Sequence, residues 1–128
     1  LPDQLGALQV GTYQKFGADV PEAPLGIFGG GWDIGKRFGV TCDHIGFVSA
    51  RLTGEDYATS LKLSGKMMDP SGGIIVLEVN GVTHRIDVTG EMGTHIVSLP
   101  EPLWPGDILS VRLEAPQSEF VLRALQLM

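Results

Sequence analysis

The sequence predicts an all-β fold: an antiparallel β-sandwich of about eight or nine strands, jelly-roll-like in its connections. Three observations predict it. Short runs alternate apolar with polar residues, turn signals separate them at intervals of about 8–12 residues, and no capped amphipathic helix, heptad or internal repeat interrupts the series. The clearest runs flank Asn80-Gly81. That dipeptide tolerates positive φ at both central positions of a type I′ turn, whose twist suits a tight hairpin. A two-residue loop sets the register. Val79 then faces Val82, Leu77 faces His84 and Ile75 faces Ile86 on one side, while Glu78–Thr83, Val76–Arg85 and Ile74–Asp87 occupy the other. One mostly apolar face and one mixed face describe a sheet packed on one side. A lone hairpin is marginal in water, so more strands and a second layer must cover it.

Taken in order, residues 1–7 form a lead-in, and Leu8–Phe16 reads as a first strand with a bulge or edge position at Gly11. Two prolines make Gly17–Pro24 a loop. Leu25–Gly35 sets Ile27, Phe28 and Trp32 among glycines, which let the backbone turn freely. Strands are expected at Lys36–Cys42, at His44–Leu52 with Val48, Ala50 and Leu52 inward, and at Ala58–Met67 with Leu61 and Leu63 inward. Asp69–Gly73 is a turn leading into the hairpin. Thr94–Leu99 gives a short strand with His95, Val97 and Leu99 on one face. Pro100–Asp107 reads as a corner, with Pro105-Gly106 suited to a type II turn. Ile108–Ala115 turns Leu109, Val111 and Leu113 inward. The closing Val121–Met128 has helix-forming residues, but strand is preferred in this context, with Val121, Leu125 and Leu127 on one side.

The 128 residues suffice for one core, and 43% hydrophobic content excludes a disordered chain. A single β-sandwich domain over 1–128 is expected. The opening Leu1-Pro2-Asp3 has no initiator Met or leader pattern, so an excised domain of a larger protein is expected. A net charge of −6, with nine Lys and Arg scattered singly, offers no stripe for phosphates, so neither nucleic acid nor an anionic membrane is an expected partner. Cys42 is the sole cysteine, which excludes an internal disulfide and a thiolate cluster.

No stretch spells out a reaction. Trp32 and Asp33, after Gly29-Gly30-Gly31, form one candidate ligand site. An indole offers its π face to the C–H groups of a sugar, a carboxylate accepts hydroxyl hydrogen bonds, and Gly31 leaves room for the ring. The competing reading has Trp32 plugging one end of the sandwich. Trp104, held between Pro102 and Pro105, is a second candidate platform or a structural lid, and Tyr13 and Tyr57 are further rim contacts. On a strand Cys42 and His44 share a face while Asp43 points away, so a metal site or a nucleophile would need His84 or His95 to join through the fold. There is no G-x-S-x-G elbow, and the glycine spacing does not match a dinucleotide fingerprint. Surface acids could hold a structural calcium, although no loop has ligand spacing for it, and no other cofactor is expected.

From Leu61 onward the chain resembles the galactose-binding-like, carbohydrate-binding β-sandwich accessory domains of bacterial polysaccharide-processing enzymes and glycosyltransferases. Leu77-Glu78-Val79-Asn80-Gly81, the Leu99-Pro100 strand end, Pro105-Gly106-Asp107 and the closing Leu125-Gln126-Leu127 carry the resemblance, with Gly31-Trp32 upstream. It implies a non-catalytic module whose partner is a carbohydrate or the rest of a parent protein. The first rival is an assembly module that pairs with another chain or oligomerises; the second is a hydrolase-like enzyme with a histidine–carboxylate site.

Overall fold

The computed structural model describes residues 5–128; its regular structure is strand apart from a short 3-10 helix at Leu25–Ile27. Eleven strands run in order: β1 (Ala7–Gln9), β2 (Gln14–Lys15), β3 (Trp32–Asp33), β4 (Val40–Cys42), β5 (Ile45–Thr53), β6 (Ala58–Met67), β7 (Gly73–Val79), β8 (Val82–Val88), β9 (Gly93–Leu103), β10 (Ile108–Glu114) and β11 (Phe120–Leu127). One sheet has the order β1-β5-β10-β7-β8. The other has the order β3-β4-β11-β6-β9, with β2 also on β11. Apart from the β7–β8 hairpin, successive strands from β5 to β11 alternate between the two sheets, as in a jelly-roll-like sandwich. All pairs are antiparallel except β1 with β5.

The hairpin has the expected register throughout. Asn80 at φ 45° and Gly81 at φ 91° supply the two positive angles of its turn. Inward rows then continue across the first sheet, Val48 to Val111 to Val79 and Gly46 to Leu113 to Leu77. In the facing sheet Leu125 pairs with Leu63 and Leu127 with Leu61. Phe16 and Phe120 are fully enclosed between the layers. Burying each such ring contributes roughly 2–3 kcal/mol before entropy is counted.

Four expectations are corrected. The first strand is split: Gly11, at φ 89°, turns the chain from β1 in one sheet to β2 in the other, and with the short β3 at Trp32–Asp33 the strands number eleven among the described residues. The strand expected from Lys36 begins only at Val40, after Gly39. The corner expected from Pro100 begins later, because β9 runs through Pro100 and Pro102 to Leu103. An edge strand tolerates proline, since one side of its ladder is unpaired. Finally, β11 is a strand, but the register slips between Leu122 and Ala124. The extra residue reverses the alternation. Phe120 and Leu122 therefore face the core with Leu125 and Leu127, and Val121 lies on the outer side with Lys66.

The bulged residue has its own anchor. Arg123 donates Nη1 to Asp19 Oδ1 and Nη2 to Asp19 Oδ2, both at 2.8 Å, and Nη1 also reaches the Phe16 carbonyl at 2.8 Å. A bidentate fork of this kind is stronger than an ordinary surface pair. The Arg123 guanidinium holds the Asp19 carboxyl below its ordinary range. The fork therefore stabilises the fold at neutral pH, where Asp19 is charged in both folded and unfolded chains. That contribution is lost as pH falls past the unfolded carboxylate's value and through the depressed folded one. Urea midpoints measured from pH 7 to pH 3 should fall less steeply for Asp19→Asn than for the wild type. Parallel curves would remove the fork from the account of acid stability.

Candidate functional site

The glycine-rich segment is built for packing. Gly31 sits at φ 93°, and a Cβ there would overlap the Ile45 carbonyl. This close approach lets β3 pair with β4, Trp32 opposite Cys42. Adjacent strand residues point to opposite faces. Trp32 turns inward and is half-buried against the core, its Nε1–H donating to the Phe47 carbonyl at 3.1 Å. Its ring rests on Gly46 and meets Phe28 edge-on at 5.4 Å, which in turn meets Phe16 at 4.9 Å. Asp33 turns outward. Its Oδ1 accepts the Gly35 N–H at 2.9 Å, and its Oδ2 lies 4.0 Å from Lys36 Nζ. The indole and the carboxylate therefore do not converge on one ligand position.

Trp104 is placed differently. Ala58 pairs with Leu103, so Tyr57 and Trp104 are the next residues along the two strands. Their rings stack with centroids 4.7 Å apart and planes tilted by 34°. Tyr57 is 49% exposed and Trp104 56%. The ledge is held from behind. Asp107 N–H donates to the Trp104 carbonyl at 2.9 Å, closing the turn whose Gly106 stands at φ 95°, and the Trp104 N–H donates back to Asp107 Oδ2 at 2.8 Å. Gly106 N–H binds the Leu52 carbonyl at 2.8 Å, which ties the turn to β5. Glu55 and Asp56, both exposed, precede Tyr57.

The two tryptophans do not form one site. Trp32 lies on Gly46 and the Trp104 turn is bonded to Leu52, near opposite ends of β5, so ~20 Å of strand separates them. Tyr57 was legible only as a rim residue. Its partnership with Trp104 depends on the β6–β9 register, which no local pattern reports.

The remaining candidates stay apart. Cys42 is buried, and burial pushes its thiol up, with Asp43 and Glu119 adding to the effect. His44 is exposed, His84 lies on β8 opposite Leu77, and His95 lies on β9 opposite Leu63. Among the described residues no group of three or more His, Cys, Asp or Glu is placed to hold a metal ion.

Comparison with known proteins adds the fold's relatives. No protein-family model and no curated sequence matches this chain. Among solved structures, the chain superposes on the carbohydrate-binding module CBM36, determined with calcium and xylotriose, at TM-score 0.51 and 14% identity, covering 79% of this chain and 92% of that one. The fold is shared with a carbohydrate-binding module. It also matches part of the Agl-KA catalytic domain, at TM-score 0.59 and 14% identity, covering 97% of this chain and 28% of that one. The catalytic unit of a GH87 α-1,3-glucanase from Streptomyces thermodiastaticus gives TM-score 0.51 and 17% identity over 68% of this chain and 19% of that one. This chain thus spans less than a third of either of those two proteins.

Proposed function

We propose that this chain is a non-catalytic carbohydrate-binding module, an accessory part of a larger polysaccharide-processing protein, and that it holds a glycan on the Tyr57–Trp104 ledge. The exposed, stacked pair carries the proposal. Two stacked aromatic rings, one of them carried on a hydrogen-bonded turn, present a firm apolar surface, so little side-chain entropy is lost when a sugar ring lies on it. Glu55 and Asp56 are close in sequence to supply hydroxyl partners. The shared fold supports the same reading, and the match to only part of two larger proteins supports a place within a longer chain. In this reading Trp32, Asp33 and Gly31 serve the sandwich end, and the ligand contacts fall to Trp104 and Tyr57.

Affinity electrophoresis and calorimetry against a panel of β- and α-linked glucans and xylans test the proposal. Trp104→Ala should weaken binding about tenfold or more, since it removes most of a stacking surface. Tyr57→Ala should weaken it less, because the indole remains. Failure of the wild type to bind any glycan, or unchanged binding by Trp104→Ala, would defeat the proposal. A concentration-dependent dimer abolished by Trp104→Ala would instead make the ledge an assembly surface.

A further inference from the structure

The outer face of the second sheet carries a groove unrelated to the aromatic ledge. Thr41, Val121 and Lys66 are register partners in one row across β4, β11 and β6, and all three point away from the core. Phe38 rises on one side of this floor and Met92 on the other, with Met68 at one end, enclosing a volume of about 580 Å³. That volume is in the range of small-molecule sites. Phe38, Met68 and Met92 are 61%, 51% and 48% exposed, so three large apolar side chains meet solvent around one floor. Gly39 lets the Phe38 segment lie this close: at φ 147°, its position leaves a Cβ only 2.8 Å from Val121 Cγ1 and 2.9 Å from the Leu122 carbonyl oxygen.

Thr41 is 4% exposed and its Oγ1 is closed off from solvent, so Thr41 forms part of the floor without offering a ligand its hydroxyl. Charge selects the ligand. The chain as a whole is at −6, yet three of its nine Lys and Arg line this groove against two acids, Glu91 and Glu119. Lys36 is partly engaged by Asp33 at 4.0 Å. Arg37 lies over the Phe38 ring at 4.9 Å, and Lys66 rises from the floor, so both are placed beside the apolar wall. The apolar walls suit a flat ring system. A sugar would need more hydroxyl partners than this lining provides.

We infer that this groove binds a planar aromatic anion, its ring system against Phe38, Met68 and Met92 and its charge beside Arg37 and Lys66. The inference is independent of the carbohydrate reading. The probe is 8-anilino-1-naphthalenesulfonate, titrated by fluorescence and calorimetry into the folded chain, with N-phenyl-1-naphthylamine as its uncharged counterpart. A saturable one-to-one site is expected for the sulfonate, with Phe38→Ala and Lys66→Met each weakening it about tenfold. The uncharged probe should bind more weakly and ignore Lys66→Met. In the wild type, the methyl resonances of Met68 and Met92 should shift on titration, which reads the site without any substitution. Trp104→Ala should bind the sulfonate as the wild type does. No saturable binding, unmoved Met68 and Met92 resonances, retention of affinity in Phe38→Ala or Lys66→Met, or equal binding of the two probes would overturn the inference.

Discussion

Gly31→Val is expected to destabilise the fold by at least about 3 kcal/mol, combining backbone strain with overlap that no rotamer relieves. The atoms in the way are backbone: a Cβ at position 31 would stand 2.7 Å from the Ile45 carbonyl carbon, nearer still to its oxygen, and 3.1 Å from the Gly46 Cα. Relief therefore requires the start of β5 to move, and Gly46 is the surface on which Trp32 rests. Against a total of about 5–15 kcal/mol for a domain of this kind, that loss is a large share. Gly30→Ala is the control, because a Cβ there meets nothing within 4 Å, and surface substitutions without special contacts usually change stability by about 0.5 kcal/mol or less. Urea midpoints of the two variants check the contrast. Coincident midpoints would contradict the close packing of β3 on β5.

Trp32→Ala is expected to cost about 2–4 kcal/mol of stability while leaving glycan affinity at the Tyr57–Trp104 ledge unchanged. Deleting a large aromatic from a core typically costs about 3–5 kcal/mol, and partial exposure reduces this. The loss includes the contact with Phe28 and leaves the Phe47 carbonyl without its indole donor. Chemical denaturation, paired with the glycan titration, separates two roles that the sequence left open for this residue. A Trp32→Ala protein of unchanged stability that no longer binds glycan would return the ligand to the glycine-rich loop. Trp104→Ala should show the reverse pattern, because its ring is exposed and its turn is held by backbone bonds and Asp107.

The sequence by itself determined the sandwich and much of its strand chemistry. The hairpin at Asn80-Gly81 was legible residue by residue, because positive φ at two adjacent positions admits few turns and a two-residue loop leaves one register. The inward faces of β5, β6 and β10 followed from alternation alone, since a half-buried strand repeats every two residues. What escaped were the places where alternation breaks: the turn at Gly11 that divides the first strand, the bulge beside Arg123 that sends Val121 outward, and the prolines that β9 tolerates at an edge. Each depends on neighbours distant in the chain. The same limit applied to function. Sequence could name Trp32 and Trp104 as aromatics near turns, but solvent exposure is a property of the whole packing. Only the tertiary structure turned Trp32 into the core, set Trp104 beside Tyr57, and gathered Thr41, Val121 and Lys66 into one row. Strand pairing brings these residues together across the sheet, and pairing is decided by burial of the assembled layers, which no local pattern encodes.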